Sequence, residues 1–247
     1  MRITVAKLLP VRIGFLFIGA IMSIYLLGCD LVAVPNKQTG TGDTADHLVI
    51  NEVFTLPDSQ SDAYSWVELY NPTSQRIAGL HSWTLTYTVK MKTSGGTDSL
   101  LRFRSNLDDL FGQIPDTLNA GYFLVLAGDS VNLLDHINLG PAAGIMAQYY
   151  GIIDGSKGPV KVFPFFLLET DELVLRDGSG TPVDVVRYGN YMPESPDPYP
   201  GNHSAGIIPE WYSLCRYAYA YSTGNSANDF YMEKTPVPMW FSERAHP

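Results

Sequence analysis

The ten residues from Ser82 to Met91, "SWTLTYTVKM", place Trp83, Leu85, Tyr87, Val89 and Met91 in strict alternation with Thr84, Thr86, Thr88 and Lys90. A strand sends successive side chains to opposite faces. A period of two therefore predicts a β-strand whose odd-numbered face is buried and whose other face is solvated. Trp83 is the expected aromatic centre of that buried face.

The same kind of short apolar segment recurs along the chain, separated by turn residues. Strands are predicted at "LVINEVF" (Leu48 to Phe54), "WVELY" (Trp66 to Tyr70), "LLRFR" (Leu100 to Arg104), "YFLVLA" (Tyr122 to Ala127), "ELVLR" (Glu172 to Arg176), "VDVVRY" (Val183 to Tyr188) and "SLCRYAYAY" (Ser213 to Tyr221). Eight short strands point to an all-β sandwich. Helix is scarce: "SVNLLDHINLG" suits about two turns, with Ser130 as N-cap and Gly140 as the stop. In "NPT", the Pro72 ring excludes Asn71 from helix and the Asn71 amide is placed to bond the backbone of the turn. In "DGSG" (Asp177 to Gly180), glycine supplies the positive φ of a hairpin turn.

Several of these segments together resemble the lamin-tail domain in its bacterial form. The matching pieces are "INEV" (Ile50 to Val53), "WVELYNPT" (Trp66 to Thr73), "IAGLHSWTL" (Ile77 to Leu85), "LNAGYFLVLAGD" (Leu118 to Asp129), "DELVLRDGSGTPVDVVRYG" (Asp171 to Gly189) and a closing stretch from Ser213 to Phe230. The resemblance implies an immunoglobulin-like β-sandwich, and long loop insertions around residues 91–117 and 130–165 interrupt the family's pattern. The chain departs from the family at its end, where "KTPVPMW" (Lys234 to Trp240) stands in place of a Pro-Thr-Pro-Gly turn.

The start of the chain reads differently. Residues 1–28 carry Arg2, Lys7 and Arg12, no acidic residue, and an uncharged run from Ile13 to Gly28. That run is shorter than the about 20 apolar residues a stable membrane-spanning helix needs, and basic-then-apolar is the layout of a secretory signal. The "LLGC" that ends it resembles the bacterial lipobox, which implies cleavage after Gly28 and diacylglycerol on Cys29. The expected organisation is a signal peptide over 1–28, a Pro-, Gly- and Thr-containing tether over 29–46, a domain over 47–240 and a tail over 241–247. Acyl chains at Cys29 would make the membrane one partner and the bacterial cell envelope the location. No role is assigned to Asp30.

Charge narrows the function. Three of the chain's 16 basic residues and none of its 25 acidic ones precede Cys29, so the mature protein carries a formal charge of −12. Nucleic-acid binding requires a clustered basic face, and no Lys/Arg run is present. Cys215 is then the sole thiol, which rules out an intramolecular disulfide.

Catalytic signals are thin. Glu52 and Glu68 fall on two early strands and suit a general acid/base pair, but both belong to the strand motifs, where a hydrogen-bonded structural role is the simpler expectation. His47, His81, His136, His203 and His246 are scattered without metal-site spacing. Cys215 sits in a strand pattern, as a packed thiol does. No catalytic residue, metal site or cofactor is assigned. Two stretches suit binding. The acidic clusters at Asp58–Asp62 and Glu194–His203 offer oxygens of the kind Ca²⁺ takes, without the fixed spacing of a calcium loop. If "CRYAYAY" is one strand, Tyr217, Tyr219 and Tyr221 share a face suited to stacking on a polysaccharide or anchoring an envelope protein. The expected activity is that of a non-catalytic binding or scaffolding module; the competing reading is an envelope hydrolase with its site in the long loops.

Overall fold

Short β-branched and aromatic segments bounded by turns build an all-β protein. A computed structural model describes residues 43–55, 65–92, 98–107, 114–127, 144–148, 151–155, 158–162, 171–191, 196–240 and 244. The strands in chain order are β1 (Asp43–Thr44), β2 (Val49–Phe54), β3 (Trp66–Tyr70), β4 (Ile77–Ala78), β5 (Thr84–Lys92), β6 (Asp98–Asn106), β7 (Thr117–Leu118) and β8 (Phe123–Ala127). They continue with β9 (Gly144–Gln148), β10 (Gly151–Gly155), β11 (Gly158–Val162), β12 (Asp171–Arg176), β13 (Pro182–Arg187), β14 (Ser213–Arg216), β15 (Tyr221–Ser222) and β16 (Phe230–Glu233).

Two open six-stranded sheets carry the fold. The first has the order β11-β10-β6-β5-β12-β13 and is antiparallel throughout. The second has the order β16-β14-β2-β3-β8-β9 and is antiparallel except for the β8–β9 pair. One apolar cluster draws on both: Leu85, Tyr87, Leu173, Leu175 and Val186 from the first, and Ile50, Val53, Val67, Leu69, Leu124, Leu126 and Leu214 from the second. The phase expected for β5 holds at Leu85 and Tyr87, which are buried, while Thr84, Thr86 and Thr88 are partly exposed.

The second sheet is also covered on its other face. Val49, Phe54, Trp66, Tyr70, Phe123 and Val125 form a further cluster there with Ala45, Ala220 and Met239. Burial on both sides explains why "WVELY" and "FLVLA" are apolar almost without interruption instead of alternating.

Local turn chemistry matches the sequence. Asn71 is fully buried, its Nδ2 donating to the carbonyls of Gln75, Leu118 and Asn119 and its Oδ1 accepting from the Thr73 N–H and hydroxyl. The β12–β13 hairpin turns at Gly180, whose φ is +83°, and Asp177 Oδ1 accepts from the backbone of Ser179 and Thr181.

Four expectations need correction. Trp83 is not the aromatic centre: a 3₁₀ turn over Leu80–Ser82 ends on it, so it precedes β5 and lies only partly buried at the cluster's edge. Trp66 is the fully enclosed tryptophan, stacked on Phe54 with centroids 5.7 Å apart. The end of the proposed tether is folded, since Asp43 and Thr44 pair with Ser222 and Tyr221 and Ala45 is buried. The regions expected as loop insertions around 91–117 and 130–165 both contain strands: β6 inside the first sheet, and β9, β10 and β11, which extend both sheets. "SLCRYAYAY" is not one strand: β14 stops at Arg216, a 3₁₀ turn takes Ala218–Ala220, and β15 leaves to pair with β1. Residues 1–28, Cys29, the Asp58–Asp62 cluster and the helix expected over 130–140 lie outside the described residues.

Candidate functional site

A rung of side chains crosses the second sheet, because Tyr231, Cys215, Glu52 and Glu68 are successive cross-strand partners on β16, β14, β2 and β3. The pairing register slips between Ile50 and Glu52, a bulge that opposes an extra residue on β2 to one on β3. Asn51 and Glu52 both reach the outer apolar cluster's side of the sheet as a result. Their adjacency in "INEV", a polar pair where alternation predicts one polar residue, is the sequence signal of that bulge.

Each oxygen of the inner carboxylate has a donor. Asn51 Nδ2 donates to Glu68 Oε1 at 2.8 Å and the Met239 backbone N–H to Glu68 Oε2 at 2.5 Å. The Ser213 hydroxyl donates to Glu52 Oε1 at 2.5 Å. Among the described residues, no arginine, lysine or histidine forms an ion pair with either glutamate. Burial pushes the Glu52 carboxyl up to about 8, and burial together with the charge of Glu52 raises Glu68 well above the usual carboxylate range. The two carboxyls therefore titrate as a pair rather than independently.

Cys215 shares this environment. Burial first, then Glu52, pushes its thiol well up and away from the thiolate form that a nucleophile needs. The pair, the thiol and Ser213 are all buried, and Met239 lies directly over Glu68.

The other buried charges serve the frame. Arg187 donates Nε–H to Glu172 (2.7 Å), its terminal nitrogens to both oxygens of Asp197 (3.0 and 2.6 Å), and one of them to the carbonyls of Tyr199 and Asn202. Its guanidinium also lies over the Tyr191 ring, 4.6 Å from the centroid. Asp197, inside the acidic stretch 194–203 read as a source of calcium ligands, is thus held below the usual carboxylate range by Arg187. No group of three His, Cys, Asp or Glu among the described residues is arranged to hold a metal ion.

The tyrosines expected to share a face separate. Tyr217 packs on Tyr231 with centroids 5.0 Å apart, Tyr221 is partly exposed on β15, and Tyr219 lies in the 3₁₀ turn between them. Exposed apolar surface occurs instead in the segment before β14, where Ile207 is 48 % and Trp211 63 % exposed. Trp211 is held at φ +66°, a left-handed conformation unfavourable for a bulky side chain. Sequence patterning gave no sign of this loop, since its apolar residues have no period.

No protein-family model matches this sequence, and no curated protein matches it.

Proposed function

We propose that this protein is a lipid-anchored lipoprotein of the bacterial cell envelope, carrying an immunoglobulin-like β-sandwich of lamin-tail type that acts as a non-catalytic binding or scaffolding module. The anchor reading rests on the basic and short-apolar start that ends at Cys29. The fold reading rests on the ordered set of motifs and on the two sheets that share one apolar cluster.

One observation carries the module reading: the groups a carboxylate hydrolase would employ, Glu52 and Glu68, are buried and committed to Ser213, Asn51 and the Met239 backbone. The exposed, strained Trp211 supports a recognition role, since contact residues concentrate on loops of a rigid frame. The partner is an envelope protein or polysaccharide.

A photo-crosslinking amino acid placed at Trp211 in intact cells tests this, with exposed Ser179 as the control site. A discrete adduct from position 211 and none from 179 supports the module. Equal labelling at both sites, or none at either, overturns the loop as a contact surface.

A further inference from the structure

Strand β16 lies at the edge of the second sheet, where among the described residues it pairs with β14 alone. Its pairing phase fixes which backbone groups the ladder uses. Just past the ladder the Tyr217 N–H donates to the Asp229 carbonyl at 3.0 Å, and that pair continues the register of Cys215 with Tyr231 and Ser213 with Glu233. Directly opposed residues of an antiparallel ladder bond at every second position, so Tyr231 and Glu233 turn their N–H and C=O toward β14. Phe230 and Met232, at the intervening positions, turn theirs outward. The Phe230 N–H agrees, because it donates instead to the Ser226 carbonyl of the short helix Ser226–Asp229. Met232 is left with both its N–H and its C=O at the edge, bonded to no group among the described residues, and Phe230 with its C=O. Apolar surface borders this edge. The Met232 side chain is only partly buried, a Cβ at Gly206 would lie 3.9 Å from its methyl, and the next residue, Ile207, is 48 % exposed.

We propose that β16 is a self-pairing edge, at which two copies of this chain join antiparallel about a two-fold axis at Met232 and make one continuous sheet of their second sheets. Outward N–H and C=O groups on an edge strand take an extended backbone as their partner. In a two-fold antiparallel pairing one residue opposes its own copy, and the open groups decide which. Met232 opposite Met232 exchanges two bonds, since its donor and acceptor are both at the edge. The same register brings the Lys234 N–H of each copy to the Phe230 carbonyl of the other. Side chains agree with it: Tyr231 meets Glu233 and Phe230 meets Lys234, so no like charges oppose across the seam. Centring on Tyr231 would call on the Phe230 N–H, which Ser226 holds, and set Glu233 against Asp229. Centring on Glu233 would set that carboxylate against its own copy. The pairing uses neither Cys29 nor Trp211, so it stands or falls apart from the anchor and the recognition loop.

Disulfide trapping on the full chain in detergent tests the pairing, with the linked peptides identified by mass spectrometry so that Cys29 and Cys215 do not enter the reading. The register brings the two Met232 Cα atoms to about 5.5 Å, within disulfide reach, and holds the two Glu233 Cα atoms more than about 7 Å apart. Under mild oxidation Met232→Cys should give a 232–232 disulfide at least about tenfold faster than Glu233→Cys gives a 233–233 one. Equal rates, or no 232–232 disulfide, overturn the proposal. Sedimentation equilibrium in density-matched detergent needs no cysteine: wild type should form dimers, and Met232→Pro, which lacks the outward N–H and leaves the bonds to β14 in place, should be monomeric. A monomeric wild type, or a dimer that Met232→Pro leaves intact, overturns the proposal. If Met232→Cys does not fold, sedimentation decides alone.

Discussion

Arg216 and Asp184 join the two sheets through a buried ion pair, with Arg216 on β14 of the second sheet donating to Asp184 Oδ2 on β13 of the first at 2.6 Å. The same Asp184 oxygen accepts the Ile50 backbone N–H at 2.7 Å, and the Arg216 Nε donates to the Ile50 carbonyl at 2.9 Å. One carboxylate and one guanidinium thus fix the strand that leads into the Asn51 bulge. The Arg216 guanidinium also lies 4.4 Å from the centroid of the Phe230 ring, which ties β16 to the same point.

Removing Arg216 takes the cation from two buried carboxylates, since Asp229 Oδ2 also lies 3.7 Å from the guanidinium. Arg216→Ala is expected to destabilise the domain by about 3–5 kcal/mol, the range for a broken buried ion pair. Asp184→Asn, which keeps an oxygen for the Ile50 N–H, should cost less. Chemical denaturation midpoints check the order; an Arg216→Ala loss under about 1 kcal/mol would show that the pair is hydrated.

The two tryptophans near the cores should differ in cost. Trp66→Ala is expected to lose about 3–5 kcal/mol, as removal of an enclosed aromatic does, and Trp83→Ala distinctly less because its side chain is partly exposed. Equal shifts in the two denaturation midpoints would contradict the burial assigned to them.

At the start of the chain, Cys29→Ala should abolish acylation and leave the precursor uncleaved after Gly28. Metabolic labelling with a fatty-acid analogue and the mass of the mature amino terminus measure both. A mature terminus at any residue other than a lipid-modified Cys29 removes the anchor from the account.

Much of the frame was legible in the sequence because its causes are local. Alternation around Leu85 and Tyr87 gave β5 and its buried face, and the Asn71 amide and Gly180 announced their turns. What was not legible depends on which faces meet. Trp83 continues the alternation on paper, yet the preceding 3₁₀ turn removes it from the strand. Tyr217, Tyr219 and Tyr221 also keep a period of two, but β15 leaves β14's sheet to pair with Asp43 and Thr44, residues far away in the chain. At the candidate site, Glu52 and Glu68 were visible as strand residues. Their donors Ser213 and Met239 come from distant segments, and no local pattern connects them.

The buried Glu52–Glu68 pair is the centre of the account, and the pH dependence of folding stability tests it most directly. Glu52 is raised from an ordinary value of 4.5 to about 8 in the folded protein, so over that window the folded chain binds more protons than the unfolded one. The stability this provides is complete below about pH 4.5 and is lost as pH rises through about 8. Asp197, held low by Arg187, acts in the opposite sense, its contribution lost only as pH falls through its depressed value. Denaturant midpoints of wild type should therefore decline from mildly acidic to mildly alkaline pH, and Glu52→Gln, which keeps an oxygen for the Ser213 hydroxyl, should flatten that decline. Midpoints that stay level or rise over this range in wild type, with an identical Glu52→Gln profile, would show two hydrated, freely ionising carboxylates and contradict the structural role given to the pair.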